Sequence, residues 1–133
     1  MVKTNYIYAT GKRRESSARV RLFKGKGPNT VNGIDVADYF PGKVMKVLWE
    51  KPLSLIEASD KYYFSARIMG GGKMGQLGAL VHGLARAASK TSVDKFRAPI
   101  KKAGLLTRDP RTRQRRMVGK GGKSRRAKQS PKR

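Results

Sequence analysis

The sequence has no cysteine, which removes disulfides, zinc knuckles and thiol chemistry together. It has one histidine, His82, so no metal site is readable. The acids that could partner it, Glu15 and Asp109, lie far away along the chain, and one imidazole without partners makes no catalytic constellation. No catalytic residue, metal or cofactor is therefore expected. No stretch approaches the roughly 20 apolar residues that cross a bilayer. In Met1 to Thr10, the apolar residues after Lys3 are too few and too interrupted for the core of a signal peptide, and no small-residue cleavage site follows. The expectation is a cytoplasmic protein with no membrane partner. Acids are scarce as well, with eight Asp and Glu against 32 Lys and Arg for a formal charge of +24 on 133 residues.

That excess calls for a polyanion, because self-repulsion opposes compaction until phosphates or counterions surround the chain. Nucleic acid is the leading candidate. The charge is also uneven. Met1 to Phe96 carries 17 basic and 7 acidic residues, whereas Arg97 to Arg133 carries 15 basic residues and only Asp109. From Pro110 onward the only apolar side chains are Met117, Val118 and Ala127. Ordering backbone costs about 1 to 2 kcal/mol per residue, far more than those few groups return on burial. Residues 1–107 are therefore expected to form a globular α+β domain, and 108–133 an extended basic tail, disordered when free.

Within the domain, Thr4 to Thr10 is rich in Tyr and Ile and reads as a strand. Ala18 to Phe23 alternates Ala18, Val20 and Leu22 against Arg19 and Arg21, the period of a half-buried strand. Lys24 to Pro28 has turn chemistry, and Thr30 to Ile34 reads as a short third strand. Val36 to Phe40 and Lys43 to Trp49 suggest helical turns punctuated by Pro41 and Pro52, with another short helix after Pro52. Lys61 to Ile68 is the clearest strand, with Tyr62, Phe64, Ala66 and Ile68 on one face. Four strands are expected.

Gly70, Gly71 and Gly72 lead into a helix from about Met74 to Lys90. Leu77, Leu80, Val81, Leu84, Ala85 and Ala88 share one face of it. The other face carries Gly75, Gly78, Ala79, His82, Gly83 and Arg86, although each helical glycine costs up to about 1 kcal/mol relative to Ala. That smooth face suits close approach of a phosphate backbone, with donors from His82 and Arg86 and exposed amides at the triple glycine. Close packing against another helix is the alternative. Thr10 to Val20 reads as a glycine turn with three cations, Lys12, Arg13 and Arg14, before the second strand, which suits phosphate oxygens. Gly70-x-Gly72-x-x-Gly75 formally matches a dinucleotide fingerprint, but Ser92 to Lys102 offers no parallel strand to present Asp94 to a ribose. Gly122-Lys123-Ser124 lacks the first glycine and the flanking elements of a Walker loop.

Three segments together resemble the ribosomal protein S nine family, bacterial type. They are Thr10 to Val20 (TGKRRESSARV), Gly70 to Arg86 (GGGKMGQLGALVHGLAR) and Ala103 to Arg111 (AGLLTRDPR). The resemblance implies a four-stranded sheet with helices on one side, in the ribosomal S five domain-two-like fold with a left-handed crossover. It implies a structural role in the head of the small ribosomal subunit, among neighbouring head proteins. Small-subunit ribosomal RNA would be bound by Lys12, Arg13, Arg14, Arg19, Gly71, Gly72, Lys73, Gln76, His82 and Arg86. Along the tail, Arg108, Arg111, Arg113, Arg115, Arg116, Arg125 and Arg126 would join them. Lys128, Lys132 and Arg133 would reach transfer RNA in the P site. The ending departs from the family, which commonly has an aromatic before Ser-Lys-Arg, whereas Pro131 here removes a donor and restricts Ser130. A general nucleic-acid binder and a nucleotide-binding enzyme are the competing classes.

Overall fold

The computed structural model describes residues 6–115 and residue 118. The sheet is antiparallel at its centre. Strand β1 (Tyr6–Arg13) pairs with β2 (Ser16–Lys24), and β2 pairs with β5 (Tyr62–Met69). Two short strands, β3 (Thr30–Val31) and β4 (Ile34–Asp35), extend it, with β3 parallel to β5 and the order β1-β2-β5-β3-β4. The sheet therefore has five strands, not the expected four. The Thr30 to Ile34 strand is split by Asn32 and Gly33, whose φ values of 53° and 81° turn the chain back on itself. An Asn-Gly pair is the preferred sequence for such a two-residue hairpin turn. Asn32 also fastens the turn to β5, donating from Nδ2 to the Ile68 carbonyl (3.0 Å) and accepting the Ile68 amide at Oδ1 (2.9 Å).

One face of the sheet is buried. Ala18, Val20 and Leu22 of β2 and Phe64, Ala66 and Ile68 of β5 point into the core, as their alternation requires. Helix α3 (Lys73–Thr91) lies across them with Leu77, Leu80 and Leu84 buried. Helix α2 (Lys43–Leu55) flanks it, bringing Trp49 edge-on to Phe64 with ring centroids 6.0 Å apart. The expected break at Pro52 does not occur. Pro52 is buried near the end of α2, where the helix continues through it. The short helix α1 (Val36–Tyr39) is capped by the Asp35 carboxylate, which accepts the Ala37 amide at 2.9 Å. Helix α4 (Val93–Lys102) was not foreseen. It holds a second small core in which Ile100 packs with Ala85 and Ala88, joined by Phe96, Leu105 and Leu106.

Candidate nucleic-acid interface

Gly11 lies inside β1, not in a turn, and the turn itself is Arg14-Glu15, with Arg14 at φ 54°. This corrects the expected glycine turn, and the reason is packing. A Cβ on Gly11 would run into the Ala79 carbonyl and the Gly83 amide of α3. Gly83 in turn has room for no side chain, since its Cβ would sit 2.7 Å from a Val20 methyl. The smooth face of α3 is therefore seated on β1 and β2, with Gly75, Ala79 and Gly83 buried. That buried strip is not open to a phosphate backbone, and its partner is the sheet instead of another helix, whereas Gly78 and His82 line a groove with Lys12 and Arg13.

Gly78 serves a different neighbour. Its missing side chain leaves room for Arg13 to lie across α3, where a Cβ would meet the Arg13 Cδ. The guanidinium points toward the Asp109 carboxylate, 3.8 Å away. Asp109 also holds Arg111 through a two-pronged pair, with Nε donating at 2.9 Å and Nη2 at 2.7 Å, and accepts the Arg111 amide at 3.0 Å. These donors from Arg111, aided by Arg13, keep the Asp109 carboxyl well below the usual carboxylate range. Arg108 reaches back to the Arg14 carbonyl (3.4 Å). The segment after α4 is thereby clipped to the tip of the β1–β2 hairpin.

A basin of about 930 Å³ opens beside this clip. It is lined by Arg13, Arg14, Arg111 and Arg113, by one acid, Glu15, and by Gly71 and Gly72. Gly70 and Gly71 take φ values of 80° and 63°, which set the loop against the hairpin tip. Gly72 then caps α3 without a side-chain hydrogen bond. The N-terminal end of a 19-residue helix thus borders a basin in which four arginines outnumber one acid, an arrangement suited to phosphate oxygens.

The other expected site residues divide by where their polar atoms go. Lys12 and Arg115 are exposed. Arg19 is exposed too, but on the far face of the sheet. Lys73 donates to the Tyr39 carbonyl (3.0 Å) and lies 3.5 Å from the Tyr39 ring centre. Gln76 donates to the Gly70 carbonyl (3.0 Å) and accepts from the Tyr39 hydroxyl (2.7 Å). Arg86 donates to the Thr10 carbonyl at 2.6 Å. His82 accepts the Lys12 amide at Nδ1 (3.3 Å), so Nε2 carries the proton donated to the Leu106 carbonyl (3.3 Å). Burial lowers the His82 pKa, Arg86 and Arg108 push the same way, and the Leu106 carbonyl opposes them. Arg116, Arg125, Arg126, Lys128, Lys132 and Arg133 lie outside the described residues. Asp109, which organises the arginines, was missed as a site residue. Its signal was a lone acid set in a basic run at Arg108-Asp-Pro-Arg111.

A family model described as Ribosomal protein S9/S16 matches residues 11–133. The chain belongs to that family. It is also similar to the small ribosomal subunit protein uS9 of the bacterium Renibacterium salmoninarum. The two are 45% identical over 111 residues, which cover 84% of this chain and 66% of the relative. The matched stretch thus spans just under two thirds of that curated relative. The S9/S16 match includes every part of the arginine basin, from the β1–β2 hairpin to Arg113. Among the described residues no cluster of His, Asp or Glu could hold a metal ion, and no helix is long and apolar enough to cross a membrane.

Proposed function

We propose that this chain is a structural constituent of the small ribosomal subunit in the cytoplasm, not an enzyme, and that it binds small-subunit ribosomal RNA in the head. The observation that carries this reading is the basin at the positive end of α3, where Arg13, Arg14, Arg111 and Arg113 converge in a chain of the S9/S16 family. Arginine forks match phosphate oxygens in pairs and stay charged at any physiological pH. Lys12, Arg19, Arg108 and Arg115 add further phosphate contacts, Gly71 and Gly72 present backbone amides, and Lys73, Gln76, His82 and Arg86 hold the surface in shape. Beyond a folded part over 1–107, the basic tail supplies Arg116, Arg125 and Arg126 to ribosomal RNA. Lys128, Lys132 and Arg133 extend to P-site transfer RNA, and neighbouring head proteins complete the surroundings.

The test changes Arg13, Arg14 and Arg111 together to Gln in the full chain. Binding to the small-subunit ribosomal RNA head domain should weaken at least tenfold while the thermal transition stays in place. Unchanged affinity would remove the basin from the interface. Deleting Lys132 and Arg133 should leave incorporation into small subunits intact and speed dissociation of P-site transfer RNA. Unaltered dissociation with full incorporation would count against the tail's proposed role.

A further inference from the structure

Among the described residues the helices cover one face of the sheet and leave the other uncovered. On β1, β2 and β5 the register places side chains on that open face in four cross-strand rows: Tyr6–Phe23–Tyr63, Tyr8–Arg21–Ser65, Thr10–Arg19–Arg67 and Lys12–Ser17–Met69. No acidic residue occurs anywhere in these three strands. Arg19 and Arg67 stand directly opposite each other on neighbouring strands, although like charges in that position destabilise a sheet. Among the described residues neither they nor Arg21 has an acidic partner within ion-pair distance. A sheet that opposes two arginines without a carboxylate between them is arranged for an anion from outside.

The aromatic groups give that anion a shape. Tyr8 is 45% exposed next to Arg21, with its ring on the open face. The Arg21 guanidinium lies 5.2 Å from the Tyr6 ring centre, which lays it along the sheet. Phe23 and Tyr63 stack on each other with centroids 5.0 Å apart and close one end of the face. Between them and the exposed Met69 is a shallow basin of about 700 Å³ lined by Tyr8, Arg19, Arg21, Ser65 and Arg67. Charges that track a backbone beside a ring that can stack a base are what an unpaired strand requires. A duplex hides its base faces and could use only the cations.

We propose that the open sheet face is a second RNA-binding surface that takes an unpaired RNA strand, with phosphates on Arg19, Arg21 and Arg67 and a base stacked on Tyr8. It rests on the reading that the chain's ligand is RNA, and it lies on the opposite side of the sheet from α3. The experiment measures binding of the full chain to an oligouridylate of about 12 nucleotides and to an RNA duplex of similar length. Polyglutamate serves as competitor. Tyr8→Ala should weaken oligouridylate binding about tenfold and change duplex binding less than about twofold. Arg21→Gln with Arg67→Gln should weaken oligouridylate binding and reduce the magnitude of its log–log salt slope by about 1.4. If that double variant does not fold, Arg67→Lys carries the same test. It keeps the charge, loses the planar fork, and should still weaken the oligouridylate about threefold. Equal losses for strand and duplex, unchanged binding of a folded variant, or polyglutamate competing as well as RNA would each overturn the proposal. If the wild-type chain bound neither RNA, the failure would belong to the ribosomal RNA reading itself. Normal wild-type binding with unaffected Tyr8→Ala and arginine variants would defeat the sheet face alone.

Discussion

Single atoms decide several features of this molecule, and the close approach of Gly11 to Gly83 is one of them. Adding one methyl at Gly83 pushes into a Val20 methyl at 2.7 Å and crowds the Gly11 amide of β1 at 3.2 Å. Gly83→Ala should destabilise the fold by about 1 to 3 kcal/mol in urea titrations, even though alanine is the better helix former. Gly72→Ala, with open space around its Cβ, should stay within about 0.5 kcal/mol. His82 gives a second prediction. Its neutral ring links the Lys12 amide to the Leu106 carbonyl, and its pKa is lowered in the folded state. The unfolded chain therefore binds the extra proton first, so stability is full above the ordinary value of 6.5 and declines as pH falls below it toward the folded pKa. Urea midpoints at about pH 7.5 and about pH 5 should differ in the wild type, and His82→Gln should shrink the difference.

Elements differ in how openly the sequence announces them. The alternation of Ala18, Val20 and Leu22 with arginines, and of Phe64, Ala66 and Ile68 with Ser65 and Arg67, marked β2 and β5 because each strand has one buried face and one wet one. The leucine stripe of α3 was equally plain. Its glycine face was legible as a demand for close approach, but glycine makes room for any neighbour alike, so the identity of that neighbour could not be read. The β3–β4 hairpin was hidden because two-residue strands have no period, and α4, although Val93, Phe96 and Ile100 recur at helical spacing, because it is short, strongly basic and carries Pro99 near its end. The candidate site was legible as cations at Lys12 to Arg14 and after Arg108. Its assembly through Asp109 depends on a contact between residues 96 positions apart, which no local pattern contains. Asn32 offers a test at this scale. Asn32→Ala removes both side-chain bonds to Ile68 and a residue type that tolerates a positive φ. The expected result is a loss of about 1 to 3 kcal/mol, with faster hydrogen exchange at the Ile68 amide. Unchanged protection there would mean that the backbone pairing of β3 suffices.

At the scale of the whole molecule, a charge of +24 sets the response to ions. The free chain should melt at higher temperature as phosphate or sulfate is added, since bound anions relieve self-repulsion. RNA affinity should move the opposite way, falling about a thousandfold or more between roughly 50 and 200 mM salt if six or more phosphates are neutralised. A flat salt response in filter binding would contradict an electrostatic interface.

The Gly11–Gly83 contact also settles a question that hydrophobic alternation leaves open. Alternation fixes which face of β1 turns inward, but it is satisfied again after every shift of two residues. A slide of that size would bring Ala9 or Arg13 over Gly83, where no side chain fits. The bare pair therefore acts as an index mark, giving β1 one permitted position along α3. Arg13 and Arg14 come to the hairpin tip because a residue with no side chain sits two places before the first of them.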